Sequence, residues 1–306
     1  MATRQIAPSP AVAASASRPE ESLASTLLAL TKPRLALFSI FSGMAGYAVT
    51  AKDAGAAEAV VVLAGLALSA GGALSFNQWW ERDTDRRMRR TARRPLPRGA
   101  ISVGAALTWS LALSGAGVGL FLGRGLPVAA VLATATIVIY GLVYTPLKRR
   151  TRWATEVGSI SGALPPLIGA ASAGDPGAGP AWLLAGILLL WQMPHFFAIG
   201  WMYRDDYRAA GFPLRPAVDP TGADTARWSL LYTLVLFVGS LAPWMLGRVG
   251  AIYGATALLG GLGLLATAVR FLASAGMRDR RARDLFLASI LYLPPVMAAL
   301  VADQWR

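Results

Sequence analysis

Residues 57–85 read AEAVVVLAGLALSAGGALSFNQWWERDTD. The stretch from Ala57 to Phe76 is apolar or small, with Glu58 its only charge. About 20 such residues form a helix long enough to cross a hydrocarbon core of about 30 Å. The chain then turns abruptly polar, at Asn77, Glu81, Asp83 and Asp85. Similar blocks recur outward from this one, at about 34–51, 101–122, 126–145, 154–173, 180–202, 228–247, 250–270 and 284–302. Gly43, Gly46, Pro165, Pro166 and Pro194 lie inside blocks, where membrane helices tolerate them as contact points or kinks. With 55% hydrophobic and 15% charged residues, a water-soluble globule could not cover its surface, and disorder is excluded by the shortage of polar residues. The absence of cysteine rules out disulfides, thiolate metal sites and cysteine nucleophiles. The sequence therefore predicts an all-α polytopic membrane protein with nine transmembrane helices and its termini on opposite sides.

The formal charge of +13 first suggests a nucleic-acid partner, but the positions of the basic residues remove most of that suggestion. Of 29 Lys and Arg, 25 lie in the N-terminal segment and the 77–100, 146–153, 203–227 and 270–283 loops. Only Lys52, Arg124, Arg248 and Arg306 fall on the other side. This asymmetry is the positive-inside signal. It places the N-terminus and the Arg-rich loops in the cytoplasm, in a cell inner membrane, or in the matrix if the protein is mitochondrial. No nucleic acid is expected. Residues 1–24, rich in Ala, Ser and Pro with no apolar block, read as a solvated mobile tail ahead of one membrane-embedded domain, 25–306; a short organellar presequence is the alternative.

Carboxylates beside a bilayer are costly unless they are paired or bind a cation. Helical continuation past Phe76 would put Asn77, Glu81 and Asp85 on one face, drifting about 40° per step, with Asp83 pointing elsewhere. One amide and two carboxylates suit a hard divalent ion such as Mg²⁺, which keeps waters and completes its shell with phosphate oxygens. The run from Arg86 to Arg94 could hold a polyanion; equally, the acids and arginines could simply pair with each other at a solvated edge. A second acidic pair, Asp205 and Asp206, follows the sixth block. His195, the only histidine, would lie about 16 Å deeper on nearly the same face if that helix were continuous. It reads either as a ligand or as a hydrogen-bonded structural residue. Tyr144 and Lys148, four apart, could share a face and neutralise a departing phosphate; alone, they read as an interfacial tyrosine with a snorkelling lysine.

Taken together, Asn77-x3-Glu81-x-Asp83-x-Asp85-x2-Met88-x-Arg90-Thr91-x2-Arg94-Pro95-Leu96 resembles the aspartate-rich signature of the UbiA-type intramembrane prenyltransferases. Glu81 stands where many of the wider superfamily carry aspartate. Leu30-Thr31-Lys32-Pro33-Arg34, Tyr144-Thr-Pro-Leu-Lys148, Gly162-Ala-Leu-Pro165-Pro166 and Trp191-Gln-x-Pro194-His195-Phe196 leading to Arg204-Asp205-Asp206-Tyr207 are similar to segments of the protoheme IX farnesyltransferase (heme O synthase) branch. The resemblance covers about 30–220.

This resemblance implies nine helices around a central cavity, with farnesyl diphosphate and heme B as substrates and heme O as product. Mg²⁺ is the implied cofactor, held by Asn77, Glu81 and Asp85 from one half and by Asp205 or Asp206 from the other. Arg90, Arg94 and Lys148 would bind the diphosphate, and Tyr144 would assist. Phe76, Trp79, Tyr144 and Trp201 could shield an allylic cation, and His195 would ligate or orient the heme. A contact with a heme A synthase is a further implied partnership. Two other readings compete. A sister enzyme acting on a quinone precursor or a chlorophyll-like acceptor would share the donor chemistry. A secondary transporter would place acids near mid-bilayer, whereas here they end helices beside Arg-rich loops.

Overall fold

The computed structural model describes residues 22–51 and 55–304. Most of the expected tail, along with Lys52 and Arg306, lies outside the described residues. Ser22 caps the first helix by accepting from the Ser25 N–H, so Leu23 and Ala24 are helical. No strand occurs among the described residues.

Two helices open the fold, α1 (Leu23–Leu30) and α2 (Pro33–Ala48), bent by 54° at Thr31 and Lys32. Pro33 explains the bend, because a residue before proline is driven out of the helical region. Lys32 adopts φ 47°, the sole left-handed non-glycine among the described residues. Next come α3 (Ala56–Asp85), α4 (Val103–Gly123) and α5 (Pro127–Val138). The last of these passes through a π-helical segment, Ile139–Tyr144, into the single turn α6 (Thr145–Leu147). Pro146 lacks an N–H and crowds the preceding turn. The widened turn absorbs this: both the N–H and the hydroxyl of Thr145 donate to the Tyr140 carbonyl.

The block expected as one span at 154–173 is instead two short helices, α7 (Ala154–Ala163) and α8 (Pro165–Ser172), broken by the consecutive prolines. Then follow α9 (Gly179–Met202), the short α10 (Arg204–Ala209) and α11 (Arg215–Val218), and three long helices, α12 (Ala223–Met245), α13 (Ala251–Ala273) and α14 (Arg278–Gln304). Among the described residues, seven helices are long and apolar enough to cross a membrane, and the α1–α2 pair makes an eighth candidate. The polytopic all-α architecture expected from the hydropathy blocks is present. Of the nine expected spans, the described residues give seven such helices and the bent α1–α2 pair; the α7–α8 block is not among them, so the count of nine is not reached.

Side chains such as Val131, Val238, Leu259 and Leu291 project outward, as lipid-facing residues do. Inside, helices touch through small residues. The Gly46 Cα lies against the backbone of Pro166, and Gly169 lies against the Gly43 carbonyl and the Tyr47 N–H. With no hydrophobic drive between helices in lipid, such close approach supplies much of the packing.

Gly169→Ala would press a methyl group onto backbone that cannot rotate away. We expect it to cost about 1–3 kcal/mol and to lower the thermal midpoint of the detergent-solubilised protein. Gly115→Ala, with nothing near the added methyl, should leave the midpoint unchanged or raise it slightly, since alanine favours helix by up to about 1 kcal/mol.

Candidate active site

The helix α3 continues unbroken past its apolar part to Asp85. Asn77, Glu81 and Asp85 therefore stack along one face, and all three are buried. Asp83 points outward, pairing with Arg82 and Arg86 at 3.8 and 3.5 Å. Each buried rung meets one cation. Asn77 Oδ1 accepts from Lys32 Nζ at 2.6 Å, while its Nδ2 donates to Thr145 Oγ1 at 3.1 Å. Glu81 Oε1 pairs with Lys148 Nζ at 2.5 Å, and Asp85 Oδ2 with Arg94 Nη1 at 2.7 Å.

Local structure delivers each cation. The left-handed turn at Lys32 aims its ammonium at α3, and Gln78 secures α1 there by donating to the Ala29 and Leu30 carbonyls. The loop after α3 folds back because Thr91 Oγ1 donates to the Asp85 carbonyl and Met88 is buried, which returns Arg94 to Asp85. The π-helical segment turns Tyr144 and Lys148 toward the rungs. The Lys148 ammonium sits 4.9 Å from the Tyr144 ring centroid and 5.7 Å from that of Phe212. Burial alone would depress its pKa, but the Glu81 carboxylate and the two tyrosines, Tyr144 and Tyr140, raise it above the usual lysine value.

The second acidic pair is placed differently from expectation. Asp205 is exposed and pairs with Arg208 at 3.1 Å, so as placed it does not share an ion with Glu81 and Asp85. The physical reason is the helix break at Tyr203 (φ −113°), which swings α10 out of the line of α9. The same break removes the shared face inferred for His195 and Asp206. Asp206 is half-buried. What joins this segment to the first motif is Arg90, which donates to Tyr207 Oη at 3.2 Å and stacks on Tyr203.

Above the rungs, Met88, Ala154, Phe212 and Leu214 form a buried apolar cap with Tyr144 and Tyr207 packed against it. Arg215 anchors this cap. It is fully buried between the Trp153 and Trp228 rings, at 4.7 and 4.5 Å, and pairs with Asp224 at 2.8 Å and Glu156 at 3.4 Å. Trp201, expected near the reacting carbon, is committed elsewhere: its Nε1 donates to Asp279, and Arg204 stacks on its ring. His195 lies deeper, between α9 and α14, stacked on Trp191 with ring centroids 4.7 Å apart and with Nδ1 2.9 Å from Ser289 Oγ.

A family model described as the UbiA prenyltransferase family matches residues 36–290. The chain belongs to that family. It is 41% identical over 280 residues to a protoheme IX farnesyltransferase of Opitutus terrae, covering 92% of this chain and 95% of that one. It is 40% identical over 286 residues to one of Solibacter usitatus, covering 90% and 97%. In fold it is similar to a digeranylgeranylglyceryl phosphate synthase, with TM-score 0.77, 16% identity and coverage of 92% and 98%. It is also similar to a UbiA homologue from Archaeoglobus fulgidus bound to GPP and Mg²⁺, with TM-score 0.64, 15% identity and coverage of 90% and 99%.

Among the described residues of this UbiA-family chain, no group of three or more His, Asp or Glu side chains could hold a metal by itself. The available donor set is one amide and two carboxylates, and Asp85 Oδ1 is buried without a hydrogen-bond partner. That set fits a hard cation that retains waters and shares phosphate oxygens. Lys32 is the residue that sequence reasoning did not assign to the site; it entered there only as a topological charge and as part of the Leu30–Arg34 segment of the resemblance. A lysine-proline pair opening the first apolar block was the available signal.

Asp219 holds the polypeptide behind the cap. Its carboxylate accepts from the N–H groups of Thr221, Gly222 and Thr225 and from the Thr225 hydroxyl. Burial pushes its pKa up, but these donors prevail and hold it below the usual carboxylate value. A lowered folded pKa means that the unfolded chain takes the proton first as pH falls. The stabilisation should therefore be complete above roughly pH 5 and fade below it. Asp219→Asn is expected to lower stability at neutral pH by about 1 kcal/mol and to flatten the acid limb of a thermal-midpoint-against-pH curve.

Proposed function

We propose that this protein transfers the farnesyl group of farnesyl diphosphate to a vinyl group of heme B, releasing diphosphate and giving heme O. The observation that carries this reading is the buried row of Asn77, Glu81 and Asp85, each rung facing its own cation. A site that holds oxygen donors and cations together at the end of an apolar helix suits a ligand with an anionic head and a hydrocarbon tail. The similarity at about 40% identity to protoheme IX farnesyltransferases across nearly the whole chain supports the choice of acceptor. In this reading the Arg-rich end faces the cytoplasm, in a bacterial inner membrane, and the product passes to a heme A synthase.

Asn77, Glu81 and Asp85 would hold Mg²⁺, and Asp206, half-buried on α10, forms no three-acid group with Glu81 and Asp85 among the described residues. When bound, the ion supplies Lewis-acid neutralisation of the leaving group's charge. Lys148, Arg94 and Lys32 are already at these oxygens. They turn to the diphosphate as it binds, so positive charge awaits the electrons that leave with the C1–O bond. Arg90, held by Tyr203 and Tyr207, closes over the head group. The allylic cation left behind is stabilised by ring faces: Tyr140 and Tyr144, 5.4 Å apart, and Phe76 beside Gly141. The apolar cap keeps bulk water from quenching it. The heme vinyl π electrons then form the new C–C bond to C1. One water captures the resulting cation, loses a proton and leaves the hydroxyl.

Chromatography of hemes extracted from a host expressing the protein tests this assignment. Wild type should yield heme O, whereas Asp85→Asn should reduce it by about 100-fold or more. Prenylation of an aromatic acid with no heme O would assign a different acceptor.

A further inference from the structure

Ser289 lies on α14, wholly buried, where it touches two partners with one hydroxyl. Its Oγ is 2.6 Å from the Phe286 carbonyl oxygen and 2.9 Å from His195 Nδ1. A carbonyl can only accept, and a hydroxyl has one hydrogen to give. That hydrogen is therefore spent on Phe286, and toward His195 the Ser289 oxygen can only accept. From this we infer that Ser289 is a positioning residue which locks His195 in the Nδ1-protonated tautomer, so that the ring presents its Nε2 lone pair.

The surroundings support a neutral ring held in one orientation. Trp191 stacks on the imidazole at 4.7 Å, and Phe286 lies 4.9 Å away in a tilted arrangement. Trp191 is itself fixed, with Nε1 donating to the Ser289 carbonyl at 2.7 Å and its ring stacked on Phe38. No acid pairs with His195 among the described residues, and an imidazolium among apolar rings at this depth would be costly. Nε2 makes no hydrogen bond among the described residues, where the ring's one polar contact is the one through Nδ1. An imidazole fixed through Nδ1–H with Nε2 free is the form that binds a metal centre. The ligand class is an iron porphyrin, which rests on the function proposed above; the tautomer itself does not depend on it.

Because the chain contains one histidine, ¹⁵N-histidine labelling gives a single imidazole to observe, and its two nitrogen resonances report the tautomer directly. Wild-type protein in lipid should show a protonated Nδ1 and a bare Nε2. Ser289→Ala should shift the ring toward the other tautomer, and Ser289→Thr, which keeps the hydroxyl, should restore the wild-type spectrum. Unchanged farnesyl diphosphate binding serves as the folding control. A protonated Nε2 in wild type overturns the inference, as does an unchanged spectrum in folded Ser289→Ala; if that variant does not fold, the wild-type spectrum decides. In parallel, heme B titration followed by its Soret band should show an affinity about tenfold weaker for Ser289→Ala and loss of the axial-nitrogen signature for His195→Ala. Wild-type heme spectra in His195→Ala would remove the porphyrin from this ring while leaving the tautomer result standing.

Discussion

Glu81 is buried and Lys148 partly so, opposite charges at the end of two membrane helices, 2.5 Å apart. Stripping both of water costs several kcal/mol per ion, and removing one partner leaves the other stranded at a cost of about 3–5 kcal/mol. The fold therefore has to hold α3 and the turn after α5 at one height. The π-helical segment before Pro146, the Asn77–Thr145 contact and the rings around Lys148 all serve that alignment. In the proposed reaction the same cations would meet a more highly charged partner, since a diphosphate offers them more oxygens than a carboxylate does.

The apolar cap lets this electrostatics operate. Coulomb attraction weakens about in proportion to the surrounding dielectric, so every water kept out strengthens the site. Met88, Phe212 and Leu214 supply the seal, and Arg215 supplies its fastening. An arginine clamped between two tryptophans and two acids is an expensive way to hold a short surface segment. Its presence shows how firmly that segment must stay over the rungs.

Much of the fold was legible in the sequence, because a hydrocarbon core imposes a length that hydropathy records directly. The Asn77–Glu81–Asp85 face was legible for a similar reason: helical periodicity persists wherever nothing interrupts it. What could not be read were the interruptions. Tyr203 ends α9 without a proline or glycine to announce it, and this displaces Asp205 onto Arg208. The consecutive prolines at 165 and 166 did announce themselves, but a kink and a full break look alike without the α2 backbone against which α8 settles. Lys32 depends on a left-handed turn, which non-glycine residues rarely advertise. His195 was conspicuous by being solitary, whereas the serine that disciplines it lies 94 positions away, on a helix with no motif.

The seam between α2 and α8 carries one more implication. At Gly43, Gly46 and Gly169 peptide planes, rather than side chains, meet. A side chain can rotate aside to admit a guest; a peptide plane cannot without unwinding its helix. One flank of the bundle is thus a rigid wall, and any breathing that admits or releases a bulky, flat molecule must occur along flanks joined by rotatable side chains. The pair α9 and α14, joined through aromatic rings and one serine, is such a flank.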